Sequence, residues 1–117
     1  MRRPVPRSGL GHLRITLSEN FYIGPGRADL LEGIAATGSI QAAGKAMGMS
    51  YKRAWSLVQA LNAGLGSPLV ETMRGGAAQG GAHLTETGKA VLAYYRAMEQ
   101  KTEAAIAEDV TALRKLL

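Results

Sequence analysis

Residues 39–65 carry two helical patterns of apolar and polar positions, one on each side of Gly48. The apolar positions expected on one face of the first helix are Ala42, Ala43, Ala46 and Met47. The second helix places Ala54, Leu57, Val58, Leu61 and Leu65 on its apolar side and Lys52, Arg53, Ser56 and Gln59 mostly on the other. Ser39 and Ser50 are expected to cap the two helices, and Gly48 supplies a left-handed residue between them. The pattern predicts a helix-turn-helix.

The residues before this pair predict a small hairpin and one further helix. Leu13, Ile15 and Leu17 alternate with polar residues, so residues 13–17 are expected to form a strand with residues 21–23 as its partner. A helix then starts around Pro25 and ends at Gly38, with these apolar positions on one face: Leu30, Leu31, Ile34 and Ala35. Residues 1–12 lack periodicity and carry three arginines, which predicts a flexible basic arm that either touches DNA or is a frayed end.

The residues after the pair predict a β-hairpin over residues 69–84. Residues 69–74 have strand character, residues 75–81 are rich in glycine, and residues 82–84 can return as the second strand. The glycines are not followed by the Gly-Lys-Ser/Thr of a phosphate loop. Since the hairpin directly follows a helix-turn-helix, we expect a wing whose tip lies along DNA, and the alternative is a surface loop without a partner.

A long amphipathic pattern fills residues 85–117, with Thr85 as its expected cap. Its apolar positions lie mostly three and four residues apart: Leu92, Tyr95, Met98, Ile106, Val110, Leu113 and Leu117. A continuous helix would be about 45 Å long, longer than the domain is wide, so part of its apolar face would need a two-fold partner. The alternative is a break near Lys101 that returns the helix to its own core. We expect a mainly α fold with a small β component: one winged helix-turn-helix domain over residues 13–117 with a C-terminal dimerisation helix.

Charge favours an anionic partner for the first three quarters of the chain. The formal net charge is +5, yet the residues from Glu86 onward carry five basic and five acidic side chains. The excess therefore surrounds the helix-turn-helix, which favours nucleic acid over solubility alone. The chain has no cysteine and no apolar run of membrane-spanning length, so we expect a cytoplasmic protein.

Three stretches resemble the N-terminal DNA-binding domain of the ModE-type molybdate-responsive regulators. They are Ile23-Gly24-Pro25-Gly26 through Leu30-Leu31-Glu32 to Thr37-Gly38-Ser39-Ile40, then Gly48-Met49-Ser50-Tyr51-Lys52-Arg53-Ala54-Trp55, and Gly75-Gly76 through Leu84-Thr85-Glu86-Thr87-Gly88. The resemblance implies a dimeric winged helix, related to the LysR type, with residues 50–53 facing the major groove and residues 75–81 forming the wing. Members that sense molybdate do so in C-terminal β-barrel modules. The sequence ends at Leu117 without them, so we expect a stand-alone DNA-binding half.

The candidate DNA-binding residues follow from these elements. They are Ser50, Tyr51, Lys52, Arg53, Ser56 and Gln59 on the second helix of the pair, Ser39 and Lys45 on the first, and Arg74 and Gln79 in the wing. Lys52 and Arg53 are expected to contact bases or phosphates, and Lys45, Arg74 and Gln79 the backbone. Tyr51 alternatively packs against the first helix, and Trp55 is expected at the edge of the core.

Two other functions remain open from the sequence. A winged helix can serve as a protein-interaction module, or as a modulator that pairs with a full-length, effector-sensing regulator. Catalysis has little support, because His12 and His83 are the only histidines and cysteine is absent. We expect no cofactor and no metal.

Overall fold

The computed structural model describes residues 5–73 and 81–117. Two short hairpins and four helices follow one another along this part of the chain. In order they are β1 (Ile15–Ser18), β2 (Phe21–Ile23), α1 (Pro25–Thr37), α2 (Ile40–Ala46), α3 (Tyr51–Gly64), β3 (Val70–Met73), β4 (Gly81–Leu84) and α4 (Glu86–Arg114). Strands β1 and β2 pair antiparallel, as do β3 and β4. The predicted winged helix-turn-helix architecture with a long last helix is confirmed.

The ends of α2 and α3 follow the local signals in the sequence. Ser39 Oγ accepts a hydrogen bond from the Ala42 amide at 3.0 Å, and Ser50 Oγ accepts one from the Arg53 amide at 3.1 Å. Gly48 lies between the helices with φ of +74°, a conformation that glycine adopts without steric cost. The predicted caps and the predicted turn are therefore confirmed.

The apolar face predicted for α2 is partly wrong. Ala42 and Ala46 are exposed, whereas Ile40, Ala43 and Gly44 are buried. A helical repeat of 3.6 residues that starts at Ile40 brings positions 43, 44 and 47 to the same side, and positions 42 and 46 then point outward.

Two further predicted apolar positions also point to solvent. Leu17 is 62% exposed because the register of β1 and β2 shifts between Thr16 and Ser18, and this β-bulge breaks the alternation of sides. Leu13 and Ile15 pack against the core as predicted. Ala35 in α1 is exposed, while Leu30, Leu31 and Ile34 of the same helix are buried.

One hydrophobic core joins the elements. Its buried members are Phe21, Ile23, Ala28, Leu30, Leu31, Ile34, Ile40, Ala43, Ala54, Val58, Leu61, Leu69, Val70, Ala82, Leu84 and Tyr95. All of them lie between residues 21 and 95, so the core is built by the first three helices, strands β2 to β4 and only the first part of α4.

Helix α4 is continuous, so the alternative of a break near Lys101 is wrong. Its 29 residues contribute Tyr95 to the core, and no residue after Tyr95 is fully buried. The described part of the N-terminal arm lies along this second half of the helix. Val110 contacts the backbone at Gly9, and Arg114 Nη2 donates to the Pro6 carbonyl at 3.3 Å. Arg2 and Arg3 lie outside the described residues.

Despite its length, α4 is not apolar enough to cross a membrane, and neither is any other helix within residues 5–73 and 81–117.

Candidate nucleic-acid interface

Helix α3 divides into a buried side and a polar side, as its sequence predicts. Ala54, Val58 and Leu61 are buried in the core. The residues predicted for the opposite side are all exposed: Tyr51, Lys52, Arg53, Ser56 and Gln59. The structure therefore brings five of the candidate residues together on one surface, which we call the α3 surface. Its basic members occupy the first turn of the helix.

The cations around the helix-turn-helix are not used within the fold. Lys45, Lys52 and Arg53 are exposed, and none of them forms an ion pair with another described residue. Several other basic groups do have contacts within the fold. For example, Arg14 and Arg27 stack on the ring of Tyr22 at 3.7 and 3.8 Å from its centroid. Unpaired cations near one helix end keep their full charge for an anionic partner.

Ser39 and Ser50 act first as helix caps. Each hydroxyl oxygen already accepts a hydrogen bond from a backbone amide of its own helix. Capping accounts for the choice of serine at both positions without any ligand. Each hydroxyl still has its own hydrogen, which can be donated to a phosphate or a base edge.

Tyr51 and Trp55 form an edge-to-face pair on α3. Their ring centroids lie 6.1 Å apart and the rings are inclined by 86°. Trp55 is partly buried and packs against the core, as predicted, while Tyr51 is 52% exposed. Tyr51 therefore packs on a neighbour within its own helix, and the rest of its ring remains accessible on the α3 surface.

Gly44 determines how closely α2 approaches α3, and sequence analysis missed it. A Cβ atom at this position would lie 2.7 Å from the Cβ of Ala54, so only glycine permits the observed approach. The signal available in the sequence was a glycine inside a predicted helix, where it is unfavourable unless packing requires it.

Asn62 fixes the wing to the end of α3, and sequence analysis missed it as well. Its Oδ1 accepts from the amides of Leu69 and Val70 at 2.9 and 3.0 Å, and its Nδ2 donates to the Val70 carbonyl at 3.0 Å. These three bonds hold the start of β3 in a constant position relative to the α3 surface. An asparagine at the end of a helix gives no indication of partners seven and eight residues away.

The start of α4 fixes the other strand of the wing. Thr85 Oγ1 donates to the Pro68 carbonyl at 2.7 Å and accepts from the Gly88 amide at 3.0 Å. A Cβ atom on Gly88 would overlap the Leu69 carbonyl oxygen. The Leu-Thr-x-x-Gly element therefore connects the wing to the last helix through these contacts.

The wing strands pair in the register Val70↔Leu84, Glu71↔His83, Thr72↔Ala82 and Met73↔Gly81. His83 Nε2 lies 3.2 Å from Glu71 Oε1, so the histidine has a cross-strand partner within the wing. Arg74 and Gln79, the two wing candidates, lie outside the described residues. Within the described part of the chain, no three histidine or acidic side chains are grouped so that they could hold a metal ion.

The sequence of this region matches a known family. Residues 27–89 fit the model of the bacterial regulatory helix-turn-helix proteins of the LysR family. The chain belongs to this family. The match runs from α1 through the helix-turn-helix and the wing strands into the first turn of α4.

The curated relatives are molybdenum-related regulators and binding proteins. The molybdenum-pterin-binding protein MopB of Rhodobacter capsulatus is 48% identical over 77 residues, covering 66% of this chain and 28% of the relative. The transcriptional regulator ModE of Yersinia pestis is 35% identical over 108 residues, covering 90% of this chain and 41% of the relative. The DNA-binding transcriptional dual regulator ModE of Escherichia coli K12 is 36% identical over 88 residues, covering 75% of this chain and 34% of the relative. The chain thus spans well under half the length of these relatives, and the resemblance to ModE-type regulators is confirmed.

A solved structure of the same fold contains DNA. The DNA-binding domain of CbnR in its complex with DNA superimposes with a TM-score of 0.59 at 25% identity, covering 75% of this chain and 95% of that domain. A LysR-family transcriptional regulator also matches with a TM-score of 0.56, and its 21% identity supports the fold alone.

Proposed function

We propose that the protein is a sequence-specific, DNA-binding transcriptional regulator of ModE type that binds an inverted-repeat operator as a homodimer in the cytoplasm. The observation that carries the proposal is the α3 surface, where Lys52 and Arg53 stand exposed and unpaired at the start of a helix fixed by its cap and its core side. A rigid helix that presents cations, an amide and a hydroxyl is suited to read base edges in a major groove.

The roles of the α3 residues follow from their positions along the helix. Lys52 and Arg53 are in the first turn, which enters the groove most deeply in helix-turn-helix proteins, so they are assigned to guanine edges or phosphates. Ser56 and Gln59 lie further along the same exposed side and are assigned to base edges. Tyr51 offers its ring to a sugar or base edge and its hydroxyl to a phosphate.

Backbone contacts are assigned to the elements beside α3. Lys45 is exposed in the last turn of α2, and Ser39 caps the start of that helix. Arg74 and Gln79 follow β3 in the chain and are assigned to phosphates beside the groove. These contacts set orientation and affinity without selecting sequence.

The homodimer is proposed from exposed apolar groups on α4 and just after its end. Leu113 in α4 and Leu116 and Leu117 after it are 64%, 80% and 105% exposed, and Tyr94 in the first half of the helix is 71% exposed. The chain's own arm covers Val110 but leaves these groups to solvent. Pairing of two α4 helices about a two-fold axis would bury them. It would also present two α3 surfaces to half-sites about one helical turn apart, or a multiple of it.

Removal of the Arg53 side chain tests the proposed reading role. Arg53→Ala is expected to bind its preferred sequence more weakly by about 1–3 kcal/mol and to lose discrimination between that sequence and random DNA. Equilibrium binding to both duplexes, at two salt concentrations, measures the two effects separately.

The matched control is Lys89→Ala, which removes one exposed positive charge near the start of α4, outside both the α3 surface and the second half of that helix. Its discrimination should equal that of the wild type. Equal losses for both variants on both duplexes would show that α3 contributes only charge, and would leave a protein-interaction role as the better explanation of the fold.

A further inference from the structure

A single arginine joins α4 to α1 at the point where α4 leaves the core. Arg96 directly follows Tyr95, the last fully buried residue of the chain. Its Nη2 lies 2.9 Å from both Asp29 Oδ1 and Glu32 Oε1 of α1. Its Nη1 lies 2.9 Å from Glu99 Oε1, one turn further along α4. One guanidinium therefore holds three carboxylates from two helices, a set that we call the Arg96 joint.

The Arg96 joint depends on the positive charge of the Arg96 guanidinium. Burial alone lowers the pKa of the Arg96 guanidinium, but its hydrogen bonds to Asp29, Glu99 and Glu32 outweigh burial, so the pKa is raised above the ordinary arginine value. Without the guanidinium, the contacts that join Asp29 and Glu32 of α1 to α4 through Arg96 would be lost.

The apolar contacts of α4 do not replace this joint. Val91, Leu92 and Met98 are only partly buried where they pack against the core, and Tyr95 is the one large α4 side chain fully inside it. Thr85 bonds to Pro68 at the start of α4 and Tyr95 bonds to the Leu13 carbonyl, but neither bond joins α4 to α1, and hydrophobic contact between the two helices has no preferred direction. The bidentate and charge-assisted bonds of an arginine are directional, so they select one orientation.

The second half of α4 amplifies any change of orientation. The residues after Tyr95 add about 28 Å of helix at 1.5 Å per residue. A tilt of about 10° at the joint would move the far end by about 5 Å, which exceeds the rise of one DNA base pair. In a two-fold dimer paired through these far ends, the same tilt would occur in each of the two protomers.

We infer that Arg96 is a positioning residue that sets the distance between the two α3 helices of the dimer. It would therefore set the spacing between half-sites that the dimer accepts. This inference rests on the proposed function. Arg96 itself is assigned no contact with DNA, since its three carboxylate partners lie on α1 and α4 and it is not part of the α3 surface. Its substitution should change the preferred spacing while leaving the sequence of each half-site unchanged.

Selection from random duplex DNA by the wild type and by Arg96→Met tests the inference. Methionine keeps much of the aliphatic volume and removes the charge and the donors. Both proteins should enrich the same half-site, but the variant should show a spacing that is shifted or broadened by one base pair or more. Its affinity for a duplex with a single half-site should stay within about twofold of the wild type, the level of an ordinary surface substitution.

Two further variants complete the experiment. Lys89→Met breaks an exposed ion pair between Lys89 and Glu86 that lies within α4 alone, so its spacing should equal that of the wild type. Arg96→Lys keeps the charge but cannot bridge three carboxylates with one ammonium, so its spacing should broaden less than that of Arg96→Met. If Arg96→Met fails to fold, the half-site spacing of Arg96→Lys tests the positioning role of Arg96 instead.

The possible outcomes separate the inference from the function on which it rests. Unchanged spacing in the folded arginine variants overturns the positioning role and leaves the proposed regulator intact. A change in the half-site sequence itself would also overturn it, because Arg96 would then affect the α3 surface. A wild-type selection that yields no repeated motif overturns the proposed function, and the inference with it.

Discussion

Residues 21–95, which we call the recognition region, and the second half of α4 are held in their positions in different ways. Every fully buried apolar residue of the described chain lies between residues 21 and 95. After Tyr95 the helix continues for five more turns with no fully buried residue, and residues 5–12 of the arm form no helix or strand. The recognition region is thus complete by itself, whereas the far half of α4 has surface left to share with a partner.

Polar contacts show the same difference. The wing is fixed by Asn62 and Thr85 through bonds of 2.7 to 3.0 Å, several of them partly buried. The arm is held at its far end by an exposed bond of 3.3 Å between Arg114 and Pro6. The firmer polar contacts therefore lie beside the α3 surface, and the weaker one lies where a second protomer is proposed to bind. We therefore expect substitutions in the recognition region to change the stability of the fold more than substitutions in the arm.

The largest loss of stability is expected where the start of α4 packs against the wing. Gly88→Ala would force a methyl group against the Leu69 carbonyl oxygen, and neither backbone segment is free to move away. We expect a loss of about 3 kcal/mol in the free energy of unfolding, at the upper end for overpacked sites. Chemical denaturation measures it.

Gly26→Ala in α1 is the matched control, because a Cβ atom there would meet nothing within 4 Å. That variant should be neutral or slightly more stable, since alanine reduces the entropy of the unfolded chain. A similar loss in both variants would mean that the close approach of Gly88 to Leu69 does not exist in solution.

An intermediate effect is expected at the boundary between the two regions. Tyr95 is buried, and its hydroxyl donates to the Leu13 carbonyl at 2.6 Å. Tyr95→Phe leaves that carbonyl without its partner and should cost about 1–2 kcal/mol. Thermal unfolding would detect this change, and Tyr94→Phe, one residue earlier at an exposed position, should leave the midpoint unchanged. Equal midpoints for both variants would contradict a stabilising role for the hydrogen bond between Tyr95 and Leu13.

The smallest effect on global stability is expected in the arm. Gly9 has φ of +81°, and a Cβ atom there would lie 2.7 Å from Val110 Cγ1, so Gly9→Ala should detach the arm from α4. The free energy of unfolding should change by less than about 0.5 kcal/mol, because the arm contributes nothing to the core. Cleavage by trypsin after Arg7 should nevertheless become faster.

Gly11→Ala provides the comparison for Gly9, since a Cβ atom at position 11 meets nothing within 4 Å. Its cleavage rate should match that of the wild type. A large global destabilisation by Gly9→Ala would contradict the division into two regions, because it would show that the arm supports the core.

Sequence reasoning succeeded where the physical cause is local. The caps at Ser39, Ser50 and Thr85, the left-handed Gly48 and the two-sided pattern of α3 each depend on residues within a few positions of one another. Such features are decided by backbone hydrogen bonding and helical periodicity, which can be read directly from the chain.

Sequence reasoning failed where a feature depends on contacts between residues far apart in the chain or on the pairing of two strands. Leu17 was assigned to the wrong side because a bulge forms only when β1 meets β2. Arg96 contacts Glu32 and Asp29 at separations of 64 and 67 residues, and Leu13 meets Tyr95 at a separation of 82. No periodic pattern encodes these contacts. The residues that place the candidate site were therefore missed, whereas the candidate residues on α3 were found.

Binding of two α3 surfaces to DNA is tested most directly by sequencing the DNA that the wild-type protein selects from a random duplex library. We expect one enriched motif that occurs twice, as an inverted repeat, with half-site centres about one helical turn apart or a multiple of it. Absence of any enriched motif would contradict reading by the α3 surface. Enrichment of a single motif without its inverted copy would contradict pairing through α4.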